Sequence, residues 1–147
     1  MLKHPQTWQS LQQQPELIPA AVEEMLRWWT PVMNFRRTAS EDTELAGQSI
    51  RAGDKVVVSF LSANYDERVF EQPFKFDLQR ASNPHLSFGY GPHFCLGAQL
   101  AVAQMRALFT ELILRLDTIH ATAEPRFLRS NFQRGVKKLP IRWTINR

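Results

Sequence analysis

Cysteine is nearly absent from this 147-residue chain: Cys95 is the single one. That excludes an internal disulfide and fits a reducing compartment. Long apolar runs are absent too. No stretch approaches the roughly 20 apolar residues a helix needs to cross a bilayer, and residues 1–10 lack the apolar core of a signal peptide. The expectation is a soluble, cytoplasmic protein without a membrane partner. There is no internal repeat, no low-complexity segment, and no basic run interleaved with stacking aromatics. A nucleic-acid partner is therefore not expected. The length is that of one ordinary domain.

The net charge of +4 is unevenly spread. Residues 106–147 carry nine Lys or Arg against three acids, Glu111, Asp117 and Glu124. A basic end of this kind suits an acidic partner or an ordinary solvated surface.

Glycine is sparse, with six in the chain, yet two of them bracket Tyr90 in Phe88-Gly89-Tyr90-Gly91-Pro92-His93-Phe94-Cys95-Leu96-Gly97-Ala98-Gln99-Leu100-Ala101. Gly89, Gly91 and Pro92 force an irregular loop, and a helical pattern starts directly after it. The thiol is thus held in a constrained loop at a helix N-terminus, where free N–H groups and the helix dipole favour a thiolate. Such a thiolate serves as nucleophile, redox sensor or metal ligand. The plain alternative is a buried, inert cysteine. A hydrolase would pair Cys95 with His93, but no orienting Asn or Asp is evident. Gly97 and Ala101 lie four apart on one helix face. A face without side-chain bulk lets a planar ligand approach the backbone.

The pattern F-G-x-G-x-H-x-C-x-G resembles the heme-ligand loop of the cytochrome P-450 family. The resemblance implies heme b as cofactor, with Cys95 as proximal iron ligand, Phe88 shielding its sulfur, and His93 at a heme propionate. It implies a second propionate contact from Arg37, with Arg36 on the opposite strand face as its control. Glu24-Met25-Leu26-Arg27 resembles the family's Glu-x-x-Arg, in which the pair binds a later arginine, here Arg80, and locks the cysteine loop in place. This trio would be structural support.

The implied fold class is α+β, the C-terminal part of the cytochrome P-450 fold, over residues 1–147. Residues 1–15 read as the end of one helix and a turn. A helix begins near Pro19, with Val22, Met25, Leu26 and Trp29 as its buried stripe, and ends at Thr30-Pro31. Short strands follow at Phe35–Ala39, Thr43–Leu45 and Gln48–Ile50, then a valine-rich, buried strand at Lys55–Phe60. Ser62-Ala63-Asn64-Tyr65-Asp66 resembles the family's short S-A-N-x-D helix. An irregular meander follows, anchored by Pro73, Phe74 and Phe76. The long helix runs from Leu96 to about Leu116, with Leu100, Met105, Leu108, Leu112 and Leu116 in its stripe. Short strands around Gly135 form a C-terminal β-hairpin, and Asn131 and Phe132 are candidates for substrate contact.

The family's fuller pattern includes a helix with an acid followed by a threonine, which steer protons to bound oxygen. Nothing in residues 1–20 stands in for it, since Thr7 has no adjacent acid. The resemblance therefore implies a heme-thiolate monooxygenase inserting oxygen into an apolar substrate with electrons from NAD(P)H through a redox partner. It implies that this chain is an incomplete portion of that enzyme. Two competing classes are a heme-free interaction piece, oligomeric through unpartnered apolar faces, and a heme binder without oxygenation. The wording of the loop resembles bacterial members, which take electrons from an acidic ferredoxin. Arg106 and Arg115 are the candidate contacts for it. The run Thr30–Phe35 resembles members that oxidise sterols and terpenoids.

Overall fold

A computed structural model of the protein describes Leu2 and residues 5–146. His4 and Arg147, part of the polar start and the basic end, lie outside the described residues. Three helices make the core: α1 (Pro5–Gln13), α2 (Ile18–Trp29) and α4 (Ala98–Arg115), with a 3-10 turn at Pro15–Leu17 joining the first two. Trp8 and Leu11 of α1, Ile18, Ala21, Val22 and Leu26 of α2, and Ile113 of α4 form one buried cluster. Pro19 sits in the first turn of α2, where its missing N–H costs nothing. The helix stops at Thr30, which takes a left-handed conformation at φ +45°. A β-branched residue is strained there. The Thr30 hydroxyl offsets the strain by donating to the Arg27 carbonyl at 2.7 Å and accepting from Asn64 Nδ2 at 2.9 Å.

The strands form four separate two-stranded antiparallel ladders. β1 (Asn34–Thr38) pairs with β4 (Lys55–Ser59), placing Arg37 opposite Val56 and Arg36 opposite Val57. β2 (Thr43–Leu45) pairs with β3 (Gln48–Ile50) through a tight turn. β5 (Leu116–Ala121) pairs with β8 (Ile141–Ile145), and β6 (Arg126–Phe127) with β7 (Val136–Lys138). A one-turn helix, α3 (Phe60–Ala63), follows β4. Ser59 caps it, accepting from the Ser62 N–H. Among the described residues no helix is long and apolar enough to cross a membrane.

Three expectations need correction. The valine strand is not buried: Val57 and Val58 are exposed, and among the described residues β4 pairs with β1 alone. The stripe on α4 is displaced. Leu100 and Leu108 face outward, while Val102, Met105, Phe109, Leu112 and Leu116 pack on the α1–α2 core. In the meander, Pro73 is buried and Phe76 half-buried, but Phe74 is exposed, and Phe70 is the residue that fills the interior. Strand β5 was not foreseen. Leu116-Asp117-Thr118-Ile119 carries no break after α4, and Asn146 N–H and Nδ2 donate back to the Arg115 and Leu114 carbonyls to cover that junction.

Candidate functional site: a cysteine loop on a buried ion cluster

Glu24 and Arg27 are one helical turn apart on α2 and both completely buried. They meet in a two-pronged pair: Arg27 Nε donates to Glu24 Oε2 at 2.7 Å and Nη2 to Oε1 at 2.8 Å. Arg80 adds Nε to Oε2 at 3.0 Å. Asp77 N–H and Asn83 Nδ2 complete the shell around the carboxylate at 3.0 and 3.1 Å. The remaining arginine donors reach meander carbonyls, Arg27 those of Asn64 and Pro73 and Arg80 those of Glu71 and Lys75. A segment without regular structure thereby obtains partners for its backbone. The structure brings Glu24, Arg27 and Arg80 into one cluster.

Burial alone would push the Glu24 carboxyl up. The hydrogen bonds from Arg27, the Asp77 N–H and Arg80 outweigh it, so the group titrates below the usual carboxylate range. A lowered native value stabilises the fold above the unfolded carboxyl value of about 4.3. That contribution is lost as pH falls through the native value. The urea midpoint should therefore fall as the solution is acidified below about pH 4.3. Glu24→Gln should be less stable at neutral pH and show a flatter acid profile. A wild-type profile unchanged by Glu24→Gln would show that the cluster does not carry the acid sensitivity.

Two further connections were missed from sequence. Asn64 is fully buried and joins three segments. Its Nδ2 donates to Thr30 Oγ1 and to Ser87 Oγ at 3.0 Å, and its Oδ1 accepts from the Leu86 N–H at 2.7 Å. The S-A-N-x-D wording marked the place but not the role. Arg134 lies over the Trp29 ring at 4.5 Å and donates to the Trp28 and Trp29 carbonyls. A cation is favourable at this C-terminal end of α2, and nothing in the local sequence of Arg134 points to it.

The cysteine loop begins at Ser87, whose hydroxyl donates to the Leu26 carbonyl of α2 at 2.7 Å. Gly89 and Gly91 have φ of +75° and +73°, which side chains rarely allow, and so turn the chain back on itself. The turn is closed by the Cys95 N–H donating to the Phe88 carbonyl at 2.9 Å. A short 3-10 turn, Gly91–His93, intervenes. Phe88 is half-buried against the helical core, and its ring meets Phe94 edge-on at 6.3 Å. Cys95 is exposed, just ahead of α4. A Cβ added at Gly97 would lie 3.9 Å from the Cys95 sulfur, so the sulfur sits beside the bare backbone of Gly97. Ala101 follows one turn on, half-buried, its N–H donating to the Gly97 carbonyl.

The other predicted residues are more dispersed. His93 is exposed. Arg37 is exposed on β1, its Nη1 donating to the Arg36 carbonyl at 3.2 Å and its guanidinium 5.7 Å from the Phe35 ring. Neither makes an ion pair among the described residues. Phe35 packs edge-on to Phe60 and to Phe132 at 5.8 and 5.5 Å, and Phe60 lies beside Gly89. This aromatic chain connects β1, the C-terminal region and the cysteine loop. Asn131 accepts from Asn34 Nδ2 through its carbonyl at 2.8 Å. Arg106 and Arg115 are exposed, but each faces a carboxylate, Glu23 at 3.4 Å and Glu111 at 2.7 Å. Their charges are partly neutralised on the surface proposed for them.

The residues around Cys95 fit a flat, largely apolar group carrying a metal. A thiol stands open at the end of its loop, next to a glycine. Tyr90, Phe94, Leu96 and Leu100, all within five residues of it, are exposed, Leu96 completely. Four large apolar side chains left open within five residues of one thiol mark a contact surface.

Comparison with known proteins agrees with this geometry. The profile of the Cytochrome P-450 family matches residues 3–145. The chain is 50% identical over 129 residues to a methyl-branched lipid omega-hydroxylase of Mycobacterium bovis, covering 87% of itself and 30% of that protein. It is 42% identical over 147 residues to a steroid C26-monooxygenase of Mycobacterium tuberculosis, covering 98% of itself and 40% of that protein. The crystal structure of CYP108D1 from Novosphingobium aromaticivorans superposes with a TM-score of 0.92 at 43% identity, over 99% of this chain and 35% of that one. The chain belongs to the cytochrome P-450 family. Its α+β fold matches a C-terminal portion of the family fold, and it spans 30–40% of the length of these curated relatives.

Proposed function

We infer that this chain is the thiolate-bearing portion of a heme monooxygenase acting on an apolar substrate. The observation that carries the reading is the open Cys95 sulfur beside Gly97, framed by exposed apolar side chains and held by a glycine-forced loop. Heme b bound here supplies an iron whose thiolate ligand favours O–O cleavage. Cys95 would ligate it, and Phe88 would shield the sulfur. Gly97 and Ala101 would let the ring lie close to α4, while Arg37 and His93 would hold its carboxylates. Glu24, Arg27 and Arg80 fasten the loop's foundation. The steroid and lipid in the relatives' names support an apolar substrate, sterol or terpenoid in character, with Phe132 beside it. Proton delivery would fall to the acid–threonine helix of the family's fuller pattern. Electrons arrive from NAD(P)H through a ferredoxin-type protein docking on the cysteine side. The ion pairs of Arg106 and Arg115 moderate the charge offered to it. The setting is the cytoplasm.

Heme titration of the purified protein, followed by its absorption, tests this reading. One heme per chain is expected. Arg37→Ala should raise the heme dissociation rate severalfold, since an exposed charge pair contributes up to about 1 kcal/mol. Arg36→Ala, on the opposite strand face, should leave it unchanged. Equal effects of the two substitutions would remove Arg37 from the assignment, and no saturable uptake would leave the interaction-piece reading.

A further inference from the structure

His85 lies ahead of the cysteine loop with a side chain only 5% exposed. The Ser87 N–H donates to its Nδ1 at 3.3 Å, so Nδ1 is the acceptor and Nε2 carries the hydrogen. Nε2 faces Glu23 Oε2 on α2 at 3.1 Å, and the other Glu23 oxygen accepts from Arg106 Nη2 on α4 at 3.4 Å. The imidazole is thus gripped at both nitrogens, between the loop and α2, and Arg106 of α4 reaches the same carboxylate. Its ring lies against Phe88, centroids 6.0 Å apart. Phe88 is the residue through which the loop closes, by its carbonyl to the Cys95 N–H and by its ring to Phe94. Glu23 and Glu24, consecutive on α2, project about 100° apart. One fastens His85 and the other the meander.

We propose that His85 is a positioning residue for Cys95: its doubly bonded ring fixes Phe88, and Phe88 fixes the direction of the sulfur. The role rests on the reading of Cys95 as a thiolate ligand. Removing groups that orient a metal ligand from behind typically costs 10–100-fold in metal affinity or activity.

The test uses His85→Phe, which keeps a ring against Phe88 but removes both hydrogen bonds, and His85→Gln, which keeps the donor toward Glu23. Heme-reconstituted protein is reduced under carbon monoxide, and the lifetime of the thiolate-type Soret band is followed. In heme-free protein the alkylation rate of Cys95 is measured separately. His85→Phe should shorten the band lifetime and change the alkylation rate, each roughly tenfold, with heme stoichiometry and melting temperature near wild type. His85→Gln should recover part of both. Unchanged lifetime and alkylation in His85→Phe would overturn the proposal. Should that variant not fold, Glu23→Ala removes the acceptor for Nε2 from a partly exposed position. It is expected to shift both readouts in the same direction, and no shift would overturn the proposal. If wild type shows no thiolate band but His85→Phe still alters Cys95 alkylation, the ligand reading fails and the positioning role stands.

Discussion

Arg27→Ala should destabilise the protein by about 3–5 kcal/mol, the cost of leaving a buried charge unpaired. The side chain is completely buried. It donates twice to Glu24 and reaches the carbonyls of Asn64 and Pro73. Its guanidinium also lies within 5.3–5.7 Å of the rings of Trp28, Tyr65 and Phe70. Truncation strands the Glu24 carboxylate, orphans meander carbonyls and opens a cavity among three rings. Arg27→Lys should not rescue it, because one ammonium cannot serve a two-pronged carboxylate and two carbonyls at once. The exposed pair Arg68–Asp66 is the contrast. Burial does not amplify it, and Arg68→Ala should leave the urea midpoint nearly unmoved. Urea unfolding of the three variants checks the ordering. A loss in Arg27→Ala no larger than in Arg68→Ala would mean the cluster does not hold the meander.

Cys95→Ser should abolish the thiolate-type spectrum entirely while leaving stability almost unchanged. The thiol is exposed and donates nothing to the core, so serine substitutes without a cavity or a buried unsatisfied group. The loop closes through the backbone N–H of residue 95, which serine keeps. The chemistry changes because a serine hydroxyl does not ionise near neutral pH as a thiol can. Heme held by Phe88, Gly97 and Arg37 would then show an ordinary band. A thiolate-type band persisting in Cys95→Ser would remove Cys95 from the site.

The elements nearest to chemistry were the most legible in sequence. The loop declares itself because glycine at positions 89 and 91 is a backbone requirement, written locally as two positive φ angles. Glu24 and Arg27 are legible because helical spacing alone places them side by side. Arg80 is 56 residues further on and was placed by family resemblance, since no local signal joins it to them. What stayed hidden depends on long-range packing. The outward turn of Leu100 and Leu108 follows from which face α1 and α2 cover, and periodicity does not say which of two apolar faces is chosen. Valine content alone could not reveal that Val57 and Val58 of β4 would be exposed. Asn64, His85 and Arg134 each act on residues 22 or more positions away, except for the short reach of His85 to Ser87 and Phe88. Their residue types are common in loops, so only the assembled fold distinguishes them.

The central claim is that Cys95 presents a thiolate to heme iron. The direct measurement is the absorption spectrum of the purified, heme-reconstituted protein after reduction and exposure to carbon monoxide. The account predicts a red-shifted Soret band of thiolate-ligated iron. An ordinary, unshifted band from stoichiometrically bound heme would contradict it.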